Sequence, residues 1–291
     1  MRIAVSGEIP GREYDLNEIA TYIRNYGADA IELWPENIPG SECAVHRLYR
    51  DRDVVKAERI LQKKGVEVAC VAFGAGFDRS LSEDESLFSQ ELCRAVEVAA
   101  MLGAKYVNHY LYYMSMDAKA NIDRLKRILT PAIERAETLG VILVLENEAH
   151  DSTRGPAEMQ HIVHSMGSKH YRTNFDAINY YQASFEGFPY AYNLLKTDIA
   201  YVHIKDGCIW HPEFGHGAQS LGGEMTGANR GSRIFYPALG TGALNITGLL
   251  QALHENGYNG WCTIEPHTTT ELWHMYAKAE IKYLRETGYF V

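Results

Sequence analysis

The sequence has no apolar run approaching the roughly 20 residues that a membrane-spanning helix needs, so we expect no membrane partner. Its N-terminus has no apolar signal-peptide core, because residues 2–6 already have the composition of a strand. Paired cysteines are missing too: the five cysteines are odd in number and scattered, with no C-x-x-C. This usage predicts reduced thiols in a cytoplasmic protein rather than a disulfide framework.

Basic charge is scarce relative to acidic charge. Lys and Arg together number 28 and Asp and Glu 37, which gives a formal net charge of −9. Proteins that bind the phosphate backbone of a nucleic acid normally present a basic face, so this balance argues against a nucleic-acid partner. The apolar fraction of 46% is that of an ordinary globular protein with a full core. We therefore expect a soluble cytoplasmic domain of enzyme size.

Hydrophobic strands alternate with amphipathic helices along the whole chain. Its 291 residues could form two small domains or one (β/α)₈ barrel, which typically takes about 250 residues. No linker or low-complexity stretch divides the chain, so we predict a single α/β domain over 1–291. The predicted strands are 2–6, 28–34, 66–73, 105–110, 141–148, 171–176, 199–205 and 260–265. Right-handed crossovers between them leave two arrangements, a closed barrel or a doubly wound open sheet.

The most informative strand is 141–148, with the sequence V-I-L-V-L-E-N-E. Five consecutive aliphatic residues are typical of a parallel strand buried on both faces, where an unpaired carboxylate is very costly. Glu146 must therefore meet a compensating group. Three other strands also end in a metal-type ligand, namely Asp176, His203 and Glu265. Four such ends predict a divalent metal at one mouth of a barrel, and they favour the closed barrel over the open sheet.

One segment does not follow the alternation of strands and helices. Between the seventh strand and the next helix, residues 206–242 contain nine glycines and show no hydrophobic periodicity. Structureless loops of this length are uncommon and often form active-site lids. We therefore predict a long glycine-rich loop after strand seven that acts as a lid. The alternative is a floppy insertion or a contact between subunits.

Five short stretches, mostly in the second half of the chain, follow a recognisable pattern. They are L-E-N at 145–147, D-A-I-N at 176–179, V-H-I-K-D at 202–206, P-A-L-G-T-G at 237–242 and L-H-E-N-G-Y-N-G-W-C-T-I-E at 253–265. These stretches resemble the xylose isomerase-like TIM barrels, specifically the sugar phosphate isomerase/epimerase branch. The resemblance implies one divalent ion (Mn²⁺, Mg²⁺, Co²⁺ or Zn²⁺) held by Glu146, Asp176, His203 and Glu265. Because the family often forms dimers or tetramers, it also implies a homo-oligomer.

Such a site suits chemistry on a sugar or polyol-derived substrate. A divalent ion that holds two vicinal oxygens of a hydroxy-ketone acidifies the C–H between them, because the metal-bound enediolate is stabilised. A base and an acid must then flank that carbon. The resemblance implies that Glu146 and Glu265 form this proton-transfer pair as well as binding the metal, while Asp176 and His203 bind the metal alone. Proton return to the same carbon gives epimerisation and return to its neighbour gives isomerisation; the sequence does not separate the two.

Six further residues near the predicted strand ends are candidates for contact with the substrate. They are His109, Glu148, Asn179, Lys205, Trp34 and Phe73. Trp34 and Phe73 would form an apolar wall for the carbon face of a sugar, and His109 should point to the mouth. Asn179 stands where the epimerases often carry a substrate-contacting histidine. For each residue the alternative is core packing, solvent exposure or an ordinary ion pair.

Three other functions compete with a sugar isomerase or epimerase. A dehydratase of a polyol ketone begins with the same proton abstraction. An apurinic endonuclease of the same superfamily needs a trinuclear zinc cluster, further histidines and a basic face, which the acidic balance disfavours. A barrel that binds a metal and a sugar without catalysis is disfavoured by the intact Glu146 and Glu265. We therefore predict a divalent-metal-dependent sugar isomerase or epimerase.

Overall fold

The computed structural model describes residues 1–40, 49–73, 84–111, 118–214 and 220–291. Its strands are β1 Arg2–Ser6, β2 Ala30–Leu33, β3 Glu67–Ala72, β4 Tyr106–His109, β5 Ile142–Glu146, β6 Tyr171–Asp176, β7 Ile199–Ile204, β8 Cys208–Ile209, β9 Leu221–Glu224, β10 Arg233–Phe235 and β11 Trp261–Ile264. Strands β1 to β7 and β11 form a closed barrel in which each strand pairs in parallel with its neighbours and β1 meets β11. The predicted (β/α)₈ barrel is confirmed, and the open sheet is excluded.

Helices surround the barrel. They are α1 Leu16–Tyr26, α2 Asp51–Lys64, α3 Glu85–Met101, α4 Ala118–Leu139, α5 Pro156–Met166, α6 Ala177–Gln182, α7 Tyr192–Leu195, α8 Ile246–Glu255 and α9 Thr270–Glu286. Local chemistry sets their ends: Asp15 and Glu18 form a capping box at the start of α1, and Gly27 ends it in the left-handed region at φ 86°. None of the helices in the described ranges is both long and apolar enough to cross a bilayer.

Side chains on each strand alternate between the helical layer and the barrel interior. On β5, Leu143 and Leu145 pack in the large core under the helices, whereas Val144 joins the inner cluster. That inner cluster includes Tyr106 and Tyr201, which fill the barrel below its carboxyl end. The next inward position on each strand lies at the mouth. The mouth is where the active sites of such barrels are built.

The prediction that 206–242 lacks regular structure was wrong. Outside residues 215–219, which lie beyond the described ranges, this segment contains β8, β9 and β10, which form an antiparallel sheet in the order β8–β10–β9. We call these three strands the cap sheet. Ile234 and Met225 of the segment pack against Ile178 of α6. Strands of two to four residues are too short to show periodicity in the sequence, which explains the missed assignment.

Asp206 ties the end of segment 206–242, which we call the cap segment, to the end of β7. Its buried carboxylate accepts hydrogen bonds from the backbone N–H groups of Gly207, Gly240, Gly242 and Leu244 at 2.8–3.2 Å. A Cβ on Gly242 would lie 2.2 Å from Asp206 Oδ1, so only glycine allows this close approach. One side chain therefore fixes the path of a long connection.

Replacing Asp206 with alanine should lower the free energy of unfolding by about 2–4 kcal/mol, because several buried N–H groups lose a charged acceptor. Urea denaturation provides the measurement. The matched control is Asp123→Ala, at an exposed position on α4, which should change stability by less than about 0.5 kcal/mol. Equal stability of the two variants would show that Asp206 does not anchor the segment.

Candidate active site

Four side chains converge at the carboxyl end of the barrel. They are Glu146, Asp176, His203 and Glu265, on or directly after β5, β6, β7 and β11. All four are buried, and each offers a ligand atom within 4.8 Å of the others. An ion with bonds of about 2.0–2.2 Å spans up to about 4.4 Å between opposite ligands, so the spacing needs little adjustment to enclose one. We call these four residues the ligand cluster.

His203 is oriented by carboxylates on both sides of its ring. Its Nδ1 lies 3.1 Å from Glu146 Oε1 and 3.4 Å from Glu265 Oε2, while its Nε2 lies 2.8 Å from Glu32 Oε2. Nδ1 therefore faces the ligand cluster, and Glu32 holds the opposite nitrogen, as carboxylates commonly do for metal-bound histidines. Sequence reasoning missed Glu32. Its signal was a charge at an inward position of the otherwise apolar strand β2.

Glu146 is surrounded by amide donors. Asn108 Nδ2 donates to its Oε2 at 2.8 Å, Asn174 Nδ2 donates to the same oxygen at 3.3 Å, and Asn179 Nδ2 donates to Oε1 at 3.3 Å. Burial, the largest single cause, would raise the pKa of Glu146, but the charge and hydrogen bond of His203 together with the charge of Lys205 outweigh it, so the pKa lies below its ordinary value. The carboxylate is thus held ionised and in a fixed orientation.

Asp176 is fixed by the helix that follows it. Its Oδ1 accepts from the backbone N–H groups of Ile178 and Asn179 at the start of α6, at 2.9 and 3.2 Å. Its Oδ2 lies 2.9 Å from Lys205 Nζ. Burial raises the pKa of Asp176 to about 6, against the opposing charge of Lys205. One oxygen therefore orients the side chain, and the other faces the cationic side of the cluster.

Lys205 contributes a buried positive charge beside the ligand cluster. Its Nζ contacts Glu265 Oε2 as well as Asp176, and it lies 3.2 Å from His267 Nε2. Burial would lower the pKa of Lys205, but the surrounding carboxylates raise it well above its ordinary value. Burial likewise opposes ionisation of Glu265, but Lys205 and His203 hold its pKa well below the usual range. The ion pair is formed; contact between Lys205 and a substrate stays a prediction.

The charges around the ligand cluster do not balance. Within the described part of the chain, its three carboxylates and that of Glu32 face two cationic groups, His203 and Lys205. Buried charge without a partner is costly, so the excess of acid needs a cation. Three carboxylates and one imidazole form a donor set that suits a divalent ion such as Mn²⁺, Mg²⁺, Co²⁺ or Zn²⁺. The residues present fit such an ion.

In a neighbouring group of ligand-type residues, the negative and positive charges are closer to balance. Glu8, Glu265 and His267 also bring ligand atoms within 4.8 Å of one another. Lys205 already lies against Glu265 and His267, and Arg12 Nη2 lies 2.6 Å from Glu8 Oε1. Lys205 and Arg12 thus already neutralise the negative charge of this group, and we assign no second ion to it.

Two of the predicted substrate-contacting residues do not reach the mouth. Because Asn108 points inward to Glu146, the next residue, His109, points outward, where its buried ring lies 5.5 Å from that of Tyr171. Burial lowers the pKa of His109 to about 3. Phe73 likewise packs in the helical core. Its ring lies 5.3 Å from that of Phe88 on α3.

The other candidates do lie at the mouth. Trp34 packs with Ala72 and Tyr110 on the inner side of the barrel, where the Tyr110 hydroxyl accepts a hydrogen bond from Asn108 Nδ2. Glu148 keeps a small part of its surface exposed. The burial of the rest, with the charges of Glu146 and Asp151, raises the pKa of its carboxyl group well above the ordinary value. Asn179 contacts Glu146, as described above. A contact between any of these residues and a substrate remains a proposal.

Tyr236, directly after β10, is a site residue that sequence reasoning missed. Its buried ring lies 4.7 Å from that of His267. Burial raises its pKa above the ordinary value even though Lys205 opposes the shift, so the phenol is neutral. The charges of Asp176, Glu148 and Glu265 also act on it. No sequence signal marked Tyr236, because it lies in the segment that seemed to lack structure.

Comparison with protein families identifies the fold. A family model described as xylose isomerase-like TIM barrel matches residues 20–287, which is most of the chain. The chain belongs to this family. A search of curated proteins returned no significant sequence match.

Solved structures with the same fold include enzymes named for different activities. The 3-keto-D-glucoside 4-epimerase YcjR from E. coli is 15% identical, with 98% of this chain and 99% of that chain covered and a TM-score of 0.71. The probable 3-DHS dehydratase AsbF from Bacillus anthracis is 15% identical, with 98% and 99% covered and a TM-score of 0.72. An IOLI protein with a bound zinc atom is 17% identical, with 99% and 96% covered and a TM-score of 0.71. Identities this low show the fold alone.

Replacing Glu32 with glutamine should weaken Mn²⁺ binding about 10–100-fold, because His203 loses the carboxylate that holds its ring. Isothermal titration calorimetry measures the affinity. Glu67→Gln, on β3 in an exposed ion pair with Arg2, is the matched control and should bind Mn²⁺ like the unaltered protein. An unchanged affinity in Glu32→Gln would remove Glu32 from the site.

Proposed function

We propose that this chain is a divalent-metal-dependent sugar isomerase or epimerase that acts by proton transfer next to a carbonyl. The observation that carries the proposal is the ligand cluster, three buried carboxylates and one imidazole at the mouth of the barrel. Membership of the xylose isomerase-like family and the likeness to sugar epimerases support a sugar-modifying enzyme. The bound zinc of the IOLI structure supports a metal site in this fold.

Glu146, Asp176, His203 and Glu265 would hold the ion. When bound, it would supply Lewis acidity to two vicinal oxygens of a hydroxy-ketone and so make the C–H between them more acidic. Asp176 and His203 are the fixed members: the first is tied to the start of α6 and the second to Glu32. Their role is to hold the ion in one place while the other two also handle protons.

Glu146 and Glu265 are the proton-transfer pair in this proposal. They lie on β5 and directly after β11, strands that are separated in the barrel by β6 and β7, so the two carboxylates approach the substrate position from different sides. Both have a pKa below the ordinary value in spite of burial. One therefore takes a proton from the carbon, and the other exchanges a proton on the opposite face or at the neighbouring carbon.

The remaining mouth residues bind and orient the substrate. Trp34 offers an apolar face for carbon-bound hydrogens. Glu148 offers its carboxyl group to a hydroxyl of the substrate. The neutral phenol of Tyr236 and the ammonium of Lys205 are donors on the cap side. A polyhydroxylated ligand matches this mixture of one apolar face and several donors.

Replacing Glu146 with glutamine should lower α-proton exchange about 10²–10⁴-fold, because the amide cannot accept the proton. The assay incubates a panel of ketoses and polyol ketones in D₂O with Mn²⁺ and follows deuterium incorporation by NMR. Glu67→Gln is the matched control and keeps full exchange. Metal content and circular dichroism of each variant separate loss of the base from loss of the ion or the fold. Unaltered exchange would remove Glu146 from the mechanism.

Removal of the ion with EDTA should abolish exchange in the unaltered protein, and Mn²⁺ should restore it. The products then distinguish the related reactions: an epimer, an aldose, or a dehydrated compound of the kind a dehydratase makes. Exchange at full rate after complete metal removal would contradict metal dependence. Sugar binding with no exchange under any of these conditions would identify a binding protein instead of an enzyme.

A further inference from the structure

A cavity of about 630 Å³ opens beside the ligand cluster, on the side of β1 and β11. Glu8 and His267 lie at its inner end, and their ligand atoms lie within 4.8 Å of one from Glu265. His267 Nε2 is 3.5 Å from Glu265 Oε2. This space, which we call the β1 cavity, therefore begins at a carboxylate of the proton-transfer pair. The four residues of the ligand cluster do not line it, so it is additional to the space at the cluster.

One wall of the β1 cavity comes from the cap segment. The rings of Tyr236 and His267 are tilted by 34° and lie 4.7 Å apart, and Gly222 packs against the tyrosine ring. A Cβ on Gly222 would lie 2.3 Å from the Tyr236 ring, so only glycine allows this close approach. Ile9, Arg12 and the three threonines of 268–270 complete the lining. The β1 cavity thus combines an aromatic ring with several hydroxyl groups.

The charges of the β1 cavity favour an uncharged ligand over an anionic one. Among the described residues that line it, three carry carboxylates, Glu8, Glu13 and Glu271, and one carries a guanidinium, Arg12, which is already paired with Glu8. The excess of acid weakens the binding of a phosphate or carboxylate group. Carboxylates and hydroxyls are instead good hydrogen-bond partners for an uncharged polyol, and an aromatic face suits the apolar side of a sugar ring. The volume is within the range of about 300–1,000 Å³ for small-molecule sites.

From these observations we infer that the β1 cavity is a subsite for an uncharged glycosyl unit joined to the sugar at the ligand cluster. The substrate class is then a glycosylated keto sugar and not a sugar phosphate. This inference rests on the proposed function, because it places the reacting sugar beside Glu265. Glu13 and Glu271, both exposed and remote from the cluster, are the hydrogen-bond acceptors that recognise the second unit.

The test compares the affinities of fructose, phosphorylated fructose and two ketose disaccharides, lactulose and isomaltulose, for the Mg²⁺-loaded protein by ligand-observed NMR. The two disaccharides differ in their point of attachment. At least one of them should bind about tenfold more tightly than fructose. Phosphorylated fructose should bind no more tightly than fructose. In the double variant Glu13→Ala/Glu271→Ala, the ratio of disaccharide to fructose affinity should fall to about one, because the acceptors are gone.

The control double variant is Glu255→Ala/Glu286→Ala, which removes two exposed carboxylates from the carboxyl-terminal ends of α8 and α9. It should keep the ratio of the unaltered protein. Three results would overturn the inference: neither disaccharide binds more tightly than fructose, phosphorylated fructose binds more tightly than fructose, or the higher affinity for a disaccharide persists in Glu13→Ala/Glu271→Ala. Failure of the proposed function is seen separately, as absence of deuterium exchange with every sugar while binding is still measured.

Discussion

Burial of several carboxylates in one small space is the constraint on which the rest of this structure depends. Three acidic side chains and Glu32 surround His203 at the mouth, with almost no exposure to solvent. Like charges in such a place repel strongly, and their water has been removed. The protein holds them with amides, helix N–H groups and one lysine. Each of these devices keeps an oxygen in a fixed direction while part of the negative charge stays uncompensated.

The barrel brings these buried side chains together because the inward side chains of neighbouring parallel strands lie side by side. Asn108 on β4 and Asn174 on β6 flank β5, which ends at Glu146, so the two amides reach the same carboxylate oxygen. Asp176 is paired across the sheet with His203. The layer below is filled by apolar and aromatic groups. The polar layer therefore lies where the strands end and the loops begin.

The sequence alone was sufficient for the barrel and for the four members of the ligand cluster, because long aliphatic strands that end in an acid or a histidine leave few alternatives. It could not show which of two successive polar side chains at a strand end points into the barrel. On β4, Asn108 and His109 are equally reasonable inward residues, and the observed register selects Asn108. Tyr236 and Gly222 could not be found either, since their meaning depends on a sheet of very short strands.

Lys205 organises the site through its own ion pairs. In small zinc domains the ion itself supplies the folding energy, because no core exists without it. Here the core is a complete barrel with its helical layer, and Lys205 already draws Asp176 and Glu265 together. The lysine offsets part of the charge, which lowers the repulsion among the carboxylates without filling the positions on the side of Glu146 and His203. In the proposed function, a divalent ion would therefore meet a prearranged set of donors, and the fold would depend little on its binding energy.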